Sequence, residues 1–240
     1  MTYTDYVNNI SFKLIQPDVR VRGFYKLAGL LTPLGVSLEA WNTRLPERDP
    51  QMDAELRRLL TIPRMSTFAL GAIINRAVSQ MKDDECFVNV GVWNGYSFLA
   101  GMVNNPSKTC IGIDNFSQFG GPQEAFRQRF EKHKSPNHFF HDMDYKDYFR
   151  TVHKQKIGFY NYDGEHSYEN QLEGLRAAEP FFSDDCMIFV DDTNLPEPRK
   201  ANLDFIRQSS NKYEILLDRT TCKNGHPTFW NGVMILQRIP

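Results

Sequence analysis

Three aspartates and one histidine occur where two predicted strands end, a pattern that could bind a divalent cation. Asp163 follows the segment IGFYNY, and Asp191 and Asp192 follow CMIFV. If these strands are parallel neighbours, the three carboxylates meet at one edge of the sheet, where repulsion raises their pKa values or recruits a cation. Oxygen ligands suit Mg²⁺, which lowers the pKa of a bound hydroxyl, and His166 could accept the hydroxyl proton. Alternatively, Asp191 and Asp192 only begin a loop, and His166 is a surface or capping residue.

The segment CFVNVGVWNGYSF combines a predicted buried strand with a glycine turn. The strand breaks at Gly91, and Gly95 follows four residues later, directly before Tyr96 and Ser97. A dinucleotide site needs G-x-G-x-x-G so that a pyrophosphate can lie at the helix N-terminus, and the middle glycine is missing here. The turn therefore favours a ligand without a pyrophosphate.

The next two predicted strands also end in polar residues, Asp114 and Asn115 after one strand and Asp142 after the other. Asp114 lies 23 residues after Gly91, a spacing at which a second-strand carboxylate can bind both hydroxyls of a ribose. Adenosine without a diphosphate is therefore the simplest ligand. The alternative is a tight turn with a solvated aspartate.

Predicted strands and helices alternate from residue 66 onward, which indicates a parallel sheet with helices on both faces. The strand candidates are CFVNVGV, TCIGID, HFFHD, IGFYNYD, CMIFVDD, YEILLD and GVMILQRI. Asn224-Gly225 lies between the last two and favours an antiparallel hairpin. We therefore predict an α/β fold with a doubly wound, mostly parallel, seven-stranded, Rossmann-like sheet closed by that hairpin. Residues 1–62 are predicted to form a helical cap or extension, and residues 63–240 the ligand-binding domain.

The composition restricts the partners of the chain. Its 240 residues carry a formal net charge of -1, and 24% are charged, which argues against nucleic acid as the main partner. No apolar run approaches the ~18 residues that a membrane helix needs, so no membrane partner is expected. The N-terminus lacks the pattern of a secretory signal. Four scattered cysteines without a Cys-x-x-Cys pair favour reduced thiols and a cytoplasmic location.

These motifs resemble those of the class I S-adenosylmethionine-dependent methyltransferases. VNVGVWNGYS is similar to the first motif of the small-molecule O-methyltransferase branch that includes the catechol, caffeoyl-CoA and macrocin-type enzymes, and GIDNFS resembles its second motif. The closest match is YDGEHSYENQLEGLRAAEPFFSDDCMIFVDDT, which reads like the branch's fourth strand, helix and fifth strand. The resemblance covers residues 64 to 240 and implies the fold predicted above.

The resemblance also implies a cofactor, a metal and a role for each motif residue. S-adenosylmethionine would be bound by residues of the first four strand ends, namely Asn89, Gly91, Gly95, Tyr96, Ser97, Asp114, Asn115, Asp142 and Asp163. Asn89 stands where the branch commonly has an acid, which implies a weaker or water-mediated contact to the cofactor's amino group. Mg²⁺ or another divalent cation would be held by Asp163, Asp191 and Asp192. His166 would be the general base for methyl transfer to a hydroxyl of a small molecule.

Other functions remain open from the sequence. A metal-independent O- or N-methyltransferase would use His166 as base and be insensitive to chelators. A NAD-dependent oxidoreductase is disfavoured by the G-x-x-x-G spacing. A methyltransferase-like domain without catalysis could serve as a binding or assembly module, although three neighbouring acids would then cost stability. The acceptor is not specified, because the aromatic residues of the loops suit a ring, a sugar face, a lid or the contact in a homodimer.

Overall fold

The computed structural model describes residues 1–31, 34, 36–47 and 49–240. A short antiparallel ribbon near the N-terminus consists of β1 (Ser11–Phe12) and β2 (Thr43–Arg44). The strands of the central sheet are β3 (Glu85–Val90), β4 (Thr109–Asp114), β5 (His138–Asp142), β6 (Lys156–Tyr162), β7 (Phe182–Asp191), β8 (Lys212–Arg219) and β9 (Val233–Ile239). Their spatial order is β5-β4-β3-β6-β7-β9-β8.

In the central sheet formed by the described residues, β9 is the only strand that is antiparallel to its neighbours. It pairs antiparallel with β7 and β8, whereas the other adjacent strands pair in parallel. The predicted doubly wound, mostly parallel sheet with a closing antiparallel hairpin is therefore confirmed. The hairpin strands are joined by residues 220–232, a connection much longer than a tight turn, and Asn224-Gly225 lies inside it.

The helices lie between the strands and in the N-terminal region. They are α1 (Tyr3–Asn8), α2 (Phe24–Leu31), α3 (Leu38–Asn42), α4 (Pro50–Leu59), α5 (Phe68–Gln80), α6 (Tyr96–Met102), α7 (Gln123–His133), α8 (Tyr145–Thr151), α9 (Tyr168–Ala178) and α10 (Pro196–Gln208). Every residue of β3 is buried, because this central strand is covered on both faces. Within the described part of the chain, no helix is both long and apolar enough to span a bilayer.

The order of the strands determines where a ligand can bind. From β3 the chain first builds outward through β4 and β5, and it then returns to the other side of β3 with β6. In open α/β sheets, ligands bind outside the carboxyl ends of the strands at such a reversal. The ends of β3, β4, β6 and β7 are therefore the place to look for a site.

A buried histidine just before β6 should make the stability of the fold depend on pH. His153 is 6% exposed, donates from Nε2 to the Gln155 carbonyl (2.9 Å) and accepts from the Tyr148 hydroxyl at Nδ1 (3.0 Å). Burial lowers its pKa from 6.5 to about 4. Between these values the unfolded chain binds a proton that the folded protein does not, so lowering the pH from 6.5 to 4 should cost roughly 1–3 kcal/mol of unfolding free energy.

Urea unfolding of the wild type and of His153→Gln between pH 7 and pH 4 measures this contribution. We expect the wild type to lose stability more steeply than the variant over that range. Parallel slopes for the two proteins would show that His153 does not titrate as its burial indicates.

Candidate active site

Four side chains form a cluster at the carboxyl edge of the sheet, here called the acid cluster: Asp163, His166, Asp191 and Asp192. Asp163 directly follows β6, and Asp191 ends the neighbouring β7. The Nε2 atom of His166 lies 3.7 Å from Asp163 Oδ1, 3.8 Å from Asp191 Oδ1 and 3.5 Å from Asp192 Oδ2. The structure thus brings together the four residues that the sequence singled out for metal binding and proton transfer.

Neighbouring amides hold the acid cluster in place. The Nδ1 atom of His166 lies 3.4 Å from Oε1 of the buried Gln171, whose Nε2 donates to Asn202 Oδ1 at 3.1 Å. Donation from Nδ1 to Gln171 directs Nε2 of His166 toward the carboxylates. On the other side, Asn231 Nδ2 donates to Asp192 Oδ1 at 2.7 Å.

The cluster concentrates negative charge in a largely buried place. Burial raises the pKa of Asp163, and burial together with the charges of Asp163 and Asp192 raises the pKa of Asp191 well above its ordinary range. Burial acts to lower the pKa of His166, but the three carboxylates outweigh it and raise that pKa to about 10. Asp191 Oδ1 is buried without a hydrogen-bond partner, which is costly unless a cation compensates it.

The glycine turn after β3 touches the acid cluster directly. Gly91 has a φ of +80°, and a Cβ at this position would lie 2.0 Å from the carbonyl oxygen of Asp163. Gly95 has a φ of +100° and begins α6, where a Cβ would lie 2.8 Å from the ring of Phe126. Both glycines are therefore required by positive φ and by close approach, and Gly91 lets the ends of β3 and β6 meet.

Asp114 fixes the shape of the same turn. Its Oδ2 accepts from the backbone N–H groups of Val92 and Trp93, both at 2.8 Å, and its Oδ1 accepts from that of Phe116 at 2.7 Å. Trp93 and Phe116 have φ values of +43° and +51°, which non-glycine residues rarely adopt. A carboxylate has about four acceptor positions, so about one of them is left for a ligand hydroxyl.

A cavity of about 260 Å³ lies between the glycine turn, the end of β4 and the acid cluster. The predicted site residues that line it are Gly91, Tyr96, Ser97, Asp114, Asn115, Asp163, His166, Asp191 and Asp192. The residues predicted to bind a cofactor and those predicted to bind a metal therefore share one cavity. Its volume is close to the lower end of small-molecule sites, about 300 Å³.

Three predicted cofactor residues do not line this cavity, namely Asn89, Gly95 and Asp142. Asn89 is fully buried, and its amide donates to the Gly91 carbonyl (2.8 Å) and accepts from Asn161 (2.7 Å). Asn89 therefore stabilises the turn from behind, because a buried amide must find its partners inside the protein. The carboxylate of Asp142 instead pairs with Arg127 at 2.8 Å.

Some residues that line the cavity were not identified from the sequence. Residues 143–145 follow β5 and take the place beside the cavity that was expected for Asp142. The sequence feature that could have identified them is the start of α8, where Asp144 caps the helix by accepting from the Lys146 N–H. Trp230 and Asn231 come from the connection 220–232 and have no local motif.

The N-terminal region also borders the cavity. Arg64 lines it, and its Nη2 pairs with Oε1 of the buried Glu39 at 2.9 Å. The other oxygen of Glu39 accepts from the Phe68 N–H at 3.2 Å, which ties this ion pair to the start of α5. The ring of Tyr25 in α2 contacts that of Trp230, with centroids 5.8 Å apart.

Three hydrogen bonds join this N-terminal region to the connection 220–232. The Pro17 carbonyl accepts from the Cys222 N–H (2.9 Å), that of Val19 from His226 Nε2 (2.9 Å) and that of Val21 from Lys223 Nζ (2.8 Å). Residues 17–21 and 222–226, here called the joined segments, are therefore held together by hydrogen bonds, and Trp230 and Asn231 of the same connection line the cavity.

Comparison with known proteins agrees with this fold. Residues 88–193 match a family model described as a methyltransferase domain. Comparison with curated proteins gave no match. An O-methyltransferase from Bacillus cereus in complex with SAH superimposes with a TM-score of 0.58 at 11% identity, covering 89% of this chain and 97% of that one.

Two further structures are similar over most of their length. A putative O-methyltransferase from Klebsiella pneumoniae gives a TM-score of 0.56 at 13% identity, covering 90% of this chain and 97% of that one. Cofactor-bound Rv0187 from MTB gives 0.59 at 13% identity, covering 91% and 98%. At these identities the structures show a shared fold and no more. The chain therefore contains a region, residues 88–193, that matches a methyltransferase domain, and it has the fold of known O-methyltransferases.

Proposed function

We propose that this protein is an S-adenosylmethionine-dependent methyltransferase that transfers the methyl group to a hydroxyl of a small molecule with the help of a divalent cation. The observation that carries the proposal is the acid cluster beside the cavity, in which Asp191 has a buried carboxylate oxygen without a hydrogen-bond partner. The similarity of the fold to O-methyltransferases supports oxygen as the methylated atom.

The donor atoms of the cluster fit a divalent cation. Asp163, Asp191 and Asp192 offer carboxylate oxygens, the ligands that Mg²⁺ prefers. Ligand atoms of Asp163, His166 and Asp191 lie within 4.8 Å of one another. When bound there, the cation would lower the pKa of a substrate hydroxyl.

His166 would accept the proton of that hydroxyl. Beside three uncompensated carboxylates, its pKa of about 10 keeps the imidazole protonated at neutral pH, where it cannot act as a base. A cation that compensates the carboxylates would return this pKa toward its ordinary value. Gln171 would keep the Nε2 atom of His166 directed toward the cavity.

The cofactor would bind between the glycine turn and the end of β4. S-adenosylmethionine supplies a methyl group that its sulfonium already activates, so the chain has only to align the acceptor hydroxyl in line with it. Asp114 would accept from a ribose hydroxyl, and residues 143–145 would lie beside the adenine in place of Asp142. Asn89 would act only indirectly, through its hydrogen bond to Gly91.

Calorimetric titration with S-adenosylhomocysteine, with Mg²⁺ and again with chelator, tests the cofactor and the metal separately. We expect micromolar binding in both titrations, because Asp114 and not the metal ligands would bind the ribose of the cofactor. Turnover of catechols, sugars and other hydroxyl compounds should require the cation, stop with chelator and return when Mg²⁺ is added. If S-adenosylhomocysteine does not bind in either titration, the chain does not act as a methyltransferase under these conditions.

One observation favours a second candidate, a metal-independent O- or N-methyltransferase. Protonated His166 lies 3.5–3.8 Å from all three carboxylates and could compensate their charge by itself. The same assay decides between the two candidates, since turnover that persists after exhaustive chelation would support the metal-independent reaction.

A further inference from the structure

Exposed apolar side chains are concentrated in one segment of the chain. Among the described residues, fourteen large apolar side chains are exposed, and eight of them lie between residues 14 and 41. The most exposed of these are Leu14 (70%), Leu30 (74%) and Leu34 (74%). Single exposed apolar residues are normal on soluble proteins, but a concentration of this kind marks an interaction surface.

Helix α2 lies at the centre of this concentration. It has the sequence FYKLAGLL and buries only Phe24. Leu27 and Leu30 are three positions apart and share one face of the helix, and both are exposed. Tyr25 anchors the start of α2 through its contact with Trp230, so the helix has a fixed place while its leucines face outward.

Positive charge accompanies these apolar residues. Residues 13–31 contain Lys13, Arg20, Arg22 and Lys26 against Asp18, which gives 4 - 1 = +3, whereas the whole chain has a net charge of -1. All four cationic side chains are exposed. Lys13 lies 4.9 Å from the ring of Trp41, which is itself 47% exposed, so charge and apolar surface meet directly.

We propose that this apolar and basic surface binds a membrane containing anionic phospholipids. The surface is defined by Leu14, Leu27, Leu30, Leu34 and Trp41 together with Arg20, Arg22 and Lys26. Helix α2 would lie in the plane of the membrane interface, with Leu27 and Leu30 at the boundary between headgroups and acyl chains. Lys26, with Arg20 and Arg22 just before the helix, would lie beside lipid phosphates. The proposal goes beyond methyl transfer. The sequence predicted no membrane partner because it lacks a membrane-spanning segment. Binding to the membrane surface does not require such a segment.

A second copy of the chain fits this surface less well. In a two-fold dimer the same patch contacts itself, so the +3 charge of residues 13–31 would face an identical charge. Like charges placed opposite each other at an interface are unfavourable. An anionic bilayer instead offers both an apolar layer and the opposite charge.

Sedimentation of the full chain with lipid vesicles tests the proposal. Vesicles of phosphatidylcholine with about one-third phosphatidylglycerol should bind the protein at least about tenfold more tightly than phosphatidylcholine alone, and added salt should weaken the binding. Trp41 fluorescence should shift to the blue on binding. The double variants Leu27→Ser with Leu30→Ser and Arg20→Glu with Arg22→Glu should each lose at least about tenfold in affinity.

Phe139→Ser with Ile215→Ser is the matched control. These two side chains are exposed to similar extents, 47% and 45%, but lie on the edge strands β5 and β8. The control should bind vesicles like the wild type, and thermal unfolding should show that every variant is folded. Equal weak binding of the wild type to both vesicle types would overturn the proposal. A dimer in solution that Leu27→Ser with Leu30→Ser dissociates would also overturn it, in favour of a second copy.

Discussion

Replacement of Asp191 by Asn should reduce methyl transfer at least roughly 100-fold, or about 2.7 kcal/mol in the activation free energy. The carboxylate of Asp191 is buried at the end of β7, and its Oδ1 lacks a hydrogen-bond partner in the protein. We infer that this oxygen is held ready for a cation, which a neutral amide would bind far less well. Affinity for S-adenosylhomocysteine, measured by calorimetry, should change by no more than a few-fold.

The stability of Asp191→Asn is a second measurement, and unlike the activity it should not decrease. Burial and neighbouring carboxylates raise the pKa of Asp191, so its charge is unfavourable in the folded protein. In chelator at neutral pH, Asp191→Asn should therefore be at least as stable as the wild type. Asp184→Asn, in the same strand but with a side chain that is 89% exposed, is the matched control and should keep full activity. Unchanged turnover of Asp191→Asn would rule out the metal-assisted mechanism.

Replacement of Gly91 by Ala should destabilise the protein and abolish cofactor binding. The new Cβ would lie 2.0 Å from the Asp163 carbonyl oxygen, a backbone atom that cannot move without shifting the end of β6, and the residue would keep a φ of +80°. Strain and displacement together should cost roughly 3 kcal/mol of unfolding free energy, which lowers Tm by about 6–12 °C. Thermal unfolding and calorimetry with S-adenosylhomocysteine measure the two effects.

Gly120→Ala separates the effect of backbone conformation from that of the close approach. Gly120 has a φ of +78°, almost the same as Gly91, but a Cβ there would meet no atom within 4 Å. We expect this control to lose only about 1 kcal/mol of unfolding free energy and to bind S-adenosylhomocysteine normally. Equal losses in the two variants would mean that the contact with Asp163 has no special importance.

The fold and the acid cluster could be predicted because both depend on local patterns. Apolar segments that alternate with helices specify a parallel sheet, and parallel strands carry their terminal residues to one edge. Asp163 and Asp191 end neighbouring strands, so their proximity follows from topology alone. The type of each residue then indicated its chemistry.

The orientation of individual side chains was harder to predict. Asn89 lies between Val88 and Val90 in β3, and its side-chain oxygen accepts from Asn161 of the adjacent strand β6. This pairing depends on the register of the two strands, which the sequence does not reveal. Asp142 does not line the cavity, and its carboxylate is instead bound by Arg127 and Gln123 of α7. Trp230 reaches the site through contacts with the distant N-terminal region, for which no local pattern exists.

The joined segments have a consequence for how the protein is made. Their hydrogen bonds connect residues whose positions differ by as much as 207 along the chain. A ribosome releases the N-terminal partner long before the C-terminal one is synthesised, at about 5–20 residues per second. These hydrogen bonds therefore cannot form until synthesis is nearly complete, and the exposed leucines of α2 lack these C-terminal neighbours for most of that time.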